Sequence, residues 1–144
     1  MMKNTMALLL ILTALLGCAG MGAQMERFRA RNRIRLQSLK VGMSQDSALA
    51  AMGSEVVEIS NKWEVGPLNP RRQTQVLSNP YKTEIYAGAR DTLDVFYYYA
   101  ELKRQDGAIS DDELVPLVFK EGRLLGWGHS FLQESITRYE IRFR

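Results

Sequence analysis

The sequence is poor in the residues that most catalytic and metal sites require. It holds one cysteine, Cys18, and one histidine, His129, among 144 residues. A lone thiol cannot form an intramolecular disulfide, and a zinc site has too few of its usual ligands here. A Ser-His-Asp arrangement would depend on His129 alone, and its neighbours Trp127 and Gly128 are typical of a strand end. The sequence therefore predicts a non-enzyme without a cofactor or metal.

Long apolar runs are also scarce, and the one that is present is too short to span a membrane. It covers residues 6–16 almost without interruption, whereas a helix needs about 20 residues to cross a bilayer. Lys3 precedes this run, and Gly17 and Cys18 follow it, which is the order of a bacterial lipoprotein signal peptide. A secretory signal with a chance cysteine is the alternative. We predict that residues 1–17 are removed and that Cys18 carries lipid.

A lipidated Cys18 predicts an address in the cell envelope. One acyl chain binds a membrane only marginally, whereas two or three chains anchor a protein stably. Ala19 follows the cysteine, where an acidic residue often signals retention in the inner membrane, so we expect the outer membrane, facing the periplasm. Residues 18–25 are small and predict a flexible tether. Residues 26–144 are enough for a single domain with one core.

Positive charge is concentrated in one short segment. Residues 26–40 carry six basic residues and one acidic residue, a net of +5, whereas residues 41–144 carry 12 basic and 15 acidic residues, a net of −3. A mildly acidic domain behind a basic arm argues against nucleic-acid binding. Basic residues near anionic lipid contribute about 1 kcal/mol each. The candidates for contact with the membrane surface are Arg27, Arg29, Arg31, Arg33 and Arg35.

The spacing of these arginines by two favours a strand, but their neighbours favour a helix. Five cations on one strand face would also repel one another, so we predict a helix over residues 26–38. Gly42 is typical of a helix end, and Ser44 is a good N-cap. We therefore expect a second helix over residues 45–52 that ends at Gly53.

The remainder of the chain predicts strands. Segments rich in β-branched or aromatic residues are 56–59, 82–87, 93–100, 114–119 and 123–128. The last two are separated by a short turn containing Gly122 and should pair as an antiparallel hairpin. Pro116 places its strand at a sheet edge or a bulge. The segment from Trp63 to Pro70 is typical of a loop. The tail, residues 130–144, fits either a helix or an extended segment.

The order of these features resembles a known family. A lipid cysteine, a helix, VGMS at residues 41–44, a second helix and MG at residues 52–53 before a strand meander resemble the SmpA/OmlA (BamE-like) family of small envelope lipoproteins. The resemblance implies an α+β fold in which two N-terminal helices pack on a three-stranded antiparallel sheet, an architecture that β-lactamase-inhibitor proteins share. Residues 79–81, 95–99 and 114–128 also look like an uncharacterised lipoprotein family.

The resemblance implies a non-catalytic, protein-binding or scaffolding role, with the outer-membrane β-barrel assembly machinery as one candidate partner. The alternative is a periplasmic inhibitor or ligand-binding module of the β-lactamase-inhibitor-like fold. Helices on one face of a sheet leave the other face open, and exposed aromatic residues anchor protein partners well. The candidate partner-binding residues are Tyr97, Tyr98, Tyr99 and Trp63.

Four acidic residues between positions 106 and 113 are the remaining candidate for a metal site, and calcium is the ion that such oxygen ligands would bind. Their spacing does not match an EF-hand loop, and acidic residues before a strand commonly solvate a turn. We therefore expect solvated side chains at Asp106, Asp111, Asp112 and Glu113.

Overall fold

The computed structural model describes residues 20–64 and 70–141, and of residues 61–64 and 70–73 it describes the backbone only. The helices in these ranges are α1 (Met21–Leu36), α2 (Gln45–Met52) and α3 (His129–Arg138). The strands are β1 (Val56–Glu64), β2 (Pro70–Ser78), β3 (Lys82–Ala87), β4 (Thr92–Tyr99), β5 (Leu114–Lys120) and β6 (Arg123–Trp127). The fold is α+β, as predicted.

The strands form two antiparallel sheets. β3, β4, β5 and β6 lie side by side in that order in a four-stranded sheet, while β1 and β2 pair with each other as a separate hairpin. The expectation of a single three-stranded sheet was wrong in this detail. The hairpin was missed because residues 70–78 are mostly polar and begin with a proline, so their sequence lacks the usual strand signal.

The helix predicted for the arginine segment is confirmed, but it begins five residues earlier than expected, at Met21. Residues 21–25 are therefore helical and do not form part of a tether. Methionine, alanine and glutamine are good helix formers, and the helix gains from burying Met25 and Phe28 against the core. This early start brings the first turns of α1 into the folded domain.

The second helix lies where it was predicted. The Ser44 hydroxyl accepts a hydrogen bond from the Ser47 amide at 3.2 Å, which caps α2. Gly42 and Gly53 flank the helix with φ of 87° and 73°, a conformation that favours glycine. The Gly42 amide also donates to the carbonyl oxygen of Leu124 at 2.8 Å, so this corner is fastened to β6.

Both faces of the four-stranded sheet are covered. On one face, Tyr98, Leu117 and Phe119 pack with Ala48 and Met52 of α2. Because these side chains are all buried, α2 and the corner before it seal this face from water.

The opposite face is covered by α3 and by the first turns of α1. Val95, Tyr97 and Val118 belong to the same buried cluster as Leu132 of α3 and Phe28 of α1. The prediction of an open sheet face was therefore wrong. The physical reason is that the C-terminal segment forms α3, an amphipathic helix that packs on this face of the sheet.

Strand β5 lies inside the sheet, between β4 and β6, so the edge alternative predicted from Pro116 was wrong. The bulge alternative is closer to the structure, because the β5–β6 register shifts between Val118 and Phe119. The last β5–β6 pair joins Leu117 to Trp127. Pro116 lies just beyond that pair, where its missing amide is not needed for the ladder. Its carbonyl oxygen still accepts a hydrogen bond from the Gly128 amide at 2.8 Å.

The hairpin between β5 and β6 is confirmed. Its turn residues, Glu121 and Gly122, have φ of 50° and 71°. Two successive positive φ values are the signature of a tight turn whose twist matches that of the flanking strands. Glycine accepts this conformation without steric cost, which is why the short sequence around Gly122 predicted the turn correctly.

Candidate functional site

A groove of about 600 Å³ runs between the N-terminal half of α1 and the loop that joins β4 to β5. Sites for small ligands span about 300–1,000 Å³, so this groove is large enough to hold one. Most of its lining is apolar, and the apolar side chains that define it are Met21, Met25, Leu102 and Ala108. It is the best-formed candidate site among the residues that the structure describes.

The helix and the loop approach each other closely at one point of the groove. A Cβ atom built on Gly107 would lie 3.7 Å from Cε of Met21, so the loop and the helix come within van der Waals reach there. On the helix side Met25 is buried, while on the loop side Leu102 is 40% exposed. The groove therefore has one accessible apolar wall, at Leu102.

The polar part of the groove is a closed hydrogen-bonded network around Arg29. This guanidinium is only 5% exposed. Its Nε donates to Glu26 at 3.0 Å, its Nη1 donates to the Tyr99 hydroxyl, and its Cζ lies 5.2 Å from the centre of the Tyr99 ring. Arg33 donates a further hydrogen bond to Glu26 at 2.6 Å. The buried cation is thus paired and hydrogen-bonded, as a buried charge must be.

The ionisation of these groups follows from their contacts. Hydrogen bonds from Arg33 and then Arg29 lower the pKa of Glu26. Burial alone would lower the pKa of Arg29, but hydrogen bonds to Glu26 and Tyr99 raise it overall. Burial raises the pKa of Tyr99, and Arg29 offsets only part of this. At neutral pH the network therefore holds a carboxylate, a guanidinium and a neutral phenol.

The loop wall of the groove is held by Glu113, whose carboxylate is completely buried. One carboxylate oxygen accepts hydrogen bonds from the amides of Lys103 and Arg104 at 2.8 and 3.2 Å, and the other accepts one from the Ser110 amide at 3.2 Å. Burial alone would raise the pKa of Glu113, but these amides outweigh it and the pKa is lowered. Glu113 therefore orders residues 103–110 as a rigid wall.

The expectation that the acidic cluster is solvated was wrong for Glu113. Its side chain turns inward because it completes a capping box with Ser110 at the start of a short 3-10 turn, Asp111–Glu113. The other members, Asp106, Asp111 and Asp112, are exposed as expected. Within the described parts of the chain, no group of three or more acidic, histidine or cysteine side chains lies close enough together to hold a metal ion.

The arginines predicted to face a membrane have partners within the protein. Arg29 is buried in the groove and cannot reach a lipid surface, so the prediction was wrong for that residue. Arg33 pairs with Glu26, on the same helix. Glu26 is thus shared by Arg29 and Arg33, and the three side chains together keep one positive charge.

Further along α1, two arginines share one acidic partner. Arg31 and Arg35 contact the same oxygen of Glu55 at 3.1 and 3.2 Å. Arg27 is exposed. Exposed ion pairs contribute only about 0.2–1 kcal/mol, so breaking them to meet a membrane surface costs little. Arg27, Arg31 and Arg35 therefore remain candidates for a membrane contact.

The tyrosines predicted to bind a partner are buried. Tyr97 is 4% exposed, and Tyr98 and Tyr99 have no exposed surface. The prediction was wrong because helices cover both sheet faces. Burial raises the pKa of Tyr98 to about 12, and its hydroxyl has no hydrogen-bond partner among the described residues. Trp63 lies on β1, and its side chain falls outside the described residues.

Cys18 and His129 are the two remaining residues that the sequence singled out. Cys18 lies outside the described residues, and α1 begins at Met21, three positions after it. His129 is exposed as the first residue of α3. The described helices include none that is both long and apolar enough to cross a membrane. The groove itself was missed because Met21 and Met25 were assigned to a tether, and no local pattern joins them to residues 102–108.

Comparison with known proteins identifies a family but no activity. The family model for proteins of unknown function DUF3192 matches residues 61–134. No curated protein and no solved structure matches the chain. The matched segment runs from β1 into α3 and includes the loop wall of the groove, but it does not include α1. Because the match covers more than half of the sequence, the chain belongs to the DUF3192 family of proteins of unknown function.

Proposed function

We propose that this protein is a non-catalytic bacterial envelope lipoprotein, anchored by lipid on Cys18 at the periplasmic face of the outer membrane, and that its domain acts by binding. One observation carries this proposal. The helix that lines the groove begins three residues after the predicted lipid cysteine. The anchor and the candidate binding site therefore lie at the same end of the molecule, which suits a module that works beside a membrane.

The chemistry of the groove favours binding over catalysis. Its buried cation, Arg29, is neutralised by Glu26, and its phenol, Tyr99, stays protonated. An enzyme site needs a nucleophile or a group with a pKa near the working pH. The groove offers an apolar wall and a polar floor whose groups are hydrogen-bonded to one another, which are the properties of a binding surface.

We further propose kinship with the SmpA/OmlA lipoproteins and a protein partner such as the β-barrel assembly machinery. In support, the corner at residues 41–53 has the capped turn that the resemblance implies, and α2 packs on the sheet that contains β4, β5 and β6. In this proposal those three strands correspond to the family sheet. β3, the β1–β2 hairpin and α3 would be additions.

The anchor is tested first. Wild-type protein should fractionate with membranes and carry lipid on its N-terminal cysteine by mass spectrometry, whereas Cys18→Ala should be lipid-free and soluble. Gly17→Ala is the matched control, because it keeps a small residue before the cleavage site and should leave lipidation unchanged. Membrane fractionation of the Cys18→Ala variant to the wild-type extent would contradict the proposal.

The partner is tested by site-specific photocrosslinking in cells. A photoreactive amino acid at Leu102, on the groove wall, should capture an envelope protein, whereas the same residue at the exposed Ile85 on β3 serves as the control. Recovery of barrel-assembly components at Leu102 alone would support the assembly role. Recovery of no envelope protein at Leu102, or of the same proteins at both positions, would remove it.

A ligand-binding or inhibitor module is the second candidate, and the volume of the groove favours it. This function predicts a stable complex between the Cys18→Ala protein and a soluble periplasmic enzyme. The complex should weaken when Leu102 is replaced by glutamate and persist when Ile85 is replaced in the same way. If no periplasmic protein elutes with the Cys18→Ala protein in size-exclusion chromatography, this second candidate fails.

A further inference from the structure

We infer that the groove between α1 and the β4–β5 loop holds one of the acyl chains carried by Cys18. This inference rests on the proposed lipidation of that cysteine. It assigns the groove a ligand of defined chemistry, a saturated hydrocarbon chain that belongs to the protein itself. The occupant is thus part of the chain's own N-terminal anchor and not a diffusing molecule.

The first argument is reach. Met21, which lines the groove, comes three positions after Cys18, with two residues between them. A peptide of three residues spans at most about 10 Å. A ligand attached by so short a link has a high effective concentration at the site. An acyl chain on Cys18 therefore starts within about 10 Å of a residue that lines this groove.

The second argument is the chemistry of the walls. Met21 and Met25 form one wall and Leu102 and Ala108 form the other. Methionine side chains are flexible and polarisable, so they adapt to an occupant without a fixed shape. A hydrocarbon chain is such an occupant.

The third argument is charge. A groove built for an anionic ligand would keep a cation available in its floor. Here Arg29 donates to both Glu26 and Tyr99, so its charge is already paired inside the protein. Arg104 also lines the groove, but it lies on the exposed loop wall and not in the floor. An uncharged chain needs no cation, so the floor suits hydrocarbon better than a carboxylate or a phosphate.

Docking has a consequence for the exported lipoprotein. A bilayer offers the acyl chain an apolar environment and so competes with the groove. Water does not compete, because apolar surface is driven out of water. The groove is therefore filled when the lipoprotein is outside a bilayer and emptied when it inserts. Its accessible wall, at Leu102, then becomes free beside the membrane for the partner proposed above.

The test uses the full-length lipoprotein from cells fed with a fatty acid that carries a photoreactive diazirine. The purified protein is irradiated after dilution below the critical micelle concentration of its detergent, and again after reconstitution into phospholipid vesicles. Peptide mass spectrometry should find the label on residues 21–29 and 102–108 in the diluted sample, and about tenfold less in vesicles. Mixing proteins grown on light and heavy nitrogen separates intramolecular from intermolecular crosslinks.

Two variants and a matched control sharpen the result. Leu102→Glu and Ala108→Trp should each lower crosslinking to the groove peptides by about tenfold. Ile85→Glu places the same charge on a more exposed apolar residue of β3, away from the groove, and should leave crosslinking unchanged. Circular dichroism verifies that each variant is folded. If one groove variant fails to fold, the other still decides the question.

The outcomes separate this inference from the proposed function. Absence of any fatty acid on Cys18 would overturn both. A lipidated Cys18 with crosslinks only to detergent, to other molecules or to peptides outside the groove would overturn the inference and leave the anchor standing. Equal crosslinking in the groove variants and the wild type would also overturn it.

Discussion

Asn32 of α1 and Asn79, between β2 and β3, exchange two hydrogen bonds through their side-chain amides. Asn32 donates to Asn79 at 3.0 Å, and Asn79 donates to Asn32 at 2.7 Å. Both residues are buried. Their amide groups also donate to the carbonyl oxygens of Tyr99 at 2.9 Å and Met52 at 3.3 Å. This pair therefore ties α1, which forms one wall of the groove, to α2, to β4 and to the end of the hairpin.

Replacing Asn32 by alanine should destabilise the protein by about 2–4 kcal/mol. The substitution leaves the Asn79 amide and the Tyr99 carbonyl buried without their partner, and each such group costs about 1–3 kcal/mol. Urea denaturation measures the change. Gln24→Ala, at an exposed position of the same helix, is the control and should change stability by less than about 0.5 kcal/mol. Additive effects in an Asn32, Asn79 double-mutant cycle would show that the two amides are not coupled.

Replacing Glu113 by glutamine should destabilise the loop wall and reduce the dependence of stability on pH. The pKa of Glu113 is lowered in the folded protein from its usual 4.5. Its contribution is therefore fully present above pH 4.5 and is lost as the pH falls through the folded pKa. At neutral pH we expect Glu113→Gln to lower the free energy of unfolding by about 1–3 kcal/mol. One carboxylate oxygen becomes an amide NH2 group, which faces backbone N–H donors and cannot accept hydrogen bonds from them.

The measurement for this second prediction is the urea midpoint as a function of pH. Wild-type protein should lose stability on acidification below about pH 4.5, and Glu113→Gln should lose less. Glu58→Gln makes the same chemical change on the exposed side of β1 and is the matched control. Identical pH profiles for Glu113→Gln and the wild type would show that the carboxylate does not hold the loop.

Replacing Gly126 by alanine should displace the ring of Phe131. A Cβ atom at Gly126 would lie 2.8 Å from that ring, closer than side chains approach one another. The ring is the far end of a movable side chain, so we expect a modest loss of about 1–2 kcal/mol. Thermal unfolding of Gly126→Ala in wild-type and Phe131→Ala backgrounds measures the cost, which should nearly vanish in the second. An equal cost in both backgrounds would place the strain elsewhere.

Replacing Tyr99 by phenylalanine should weaken the floor of the groove. The change removes the hydroxyl that accepts a hydrogen bond from the buried Arg29, and hydrogen bonds to charged groups contribute about 1.5–3 kcal/mol. Tyr81→Phe is the control, because its hydroxyl has no hydrogen-bond partner among the residues that the structure describes. Chemical denaturation of the two variants compares them directly. A smaller loss for Tyr99→Phe than for Tyr81→Phe would contradict the role given to this hydroxyl.

The sequence predicted best where neighbouring residues decide the structure. The cap at Ser44, the helix end at Gly53 and the turn at Gly122 each follow from one residue and the next few along the chain, and each was confirmed. Local capping and turn chemistry acts over a few residues, so it can be read from short segments.

The predictions that failed concern what covers a surface. Tyr97 to Tyr99 alternate between two sheet faces, and nothing in their own segment shows that α2 and α3 cover both. Arg29 belongs to a regular series of arginines, yet it alone turns inward, because Tyr99 lies opposite it in the fold. A periodic pattern defines a face, but the identity of the element packed on that face depends on distant parts of the chain.

By itself the sequence determined α1, α2 and the strands β3 to β6, together with the capped corner before α2 and the β5–β6 turn. Tertiary structure alone decided the four-stranded sheet, the burial of the tyrosines and the groove. The groove joins residues 21–29 to residues 102–108, and its polar floor joins Arg29 to Tyr99 across 70 positions of sequence. Contacts at such separation form only when the whole core assembles, because the burial of apolar surface compensates the entropy of closing so long a loop.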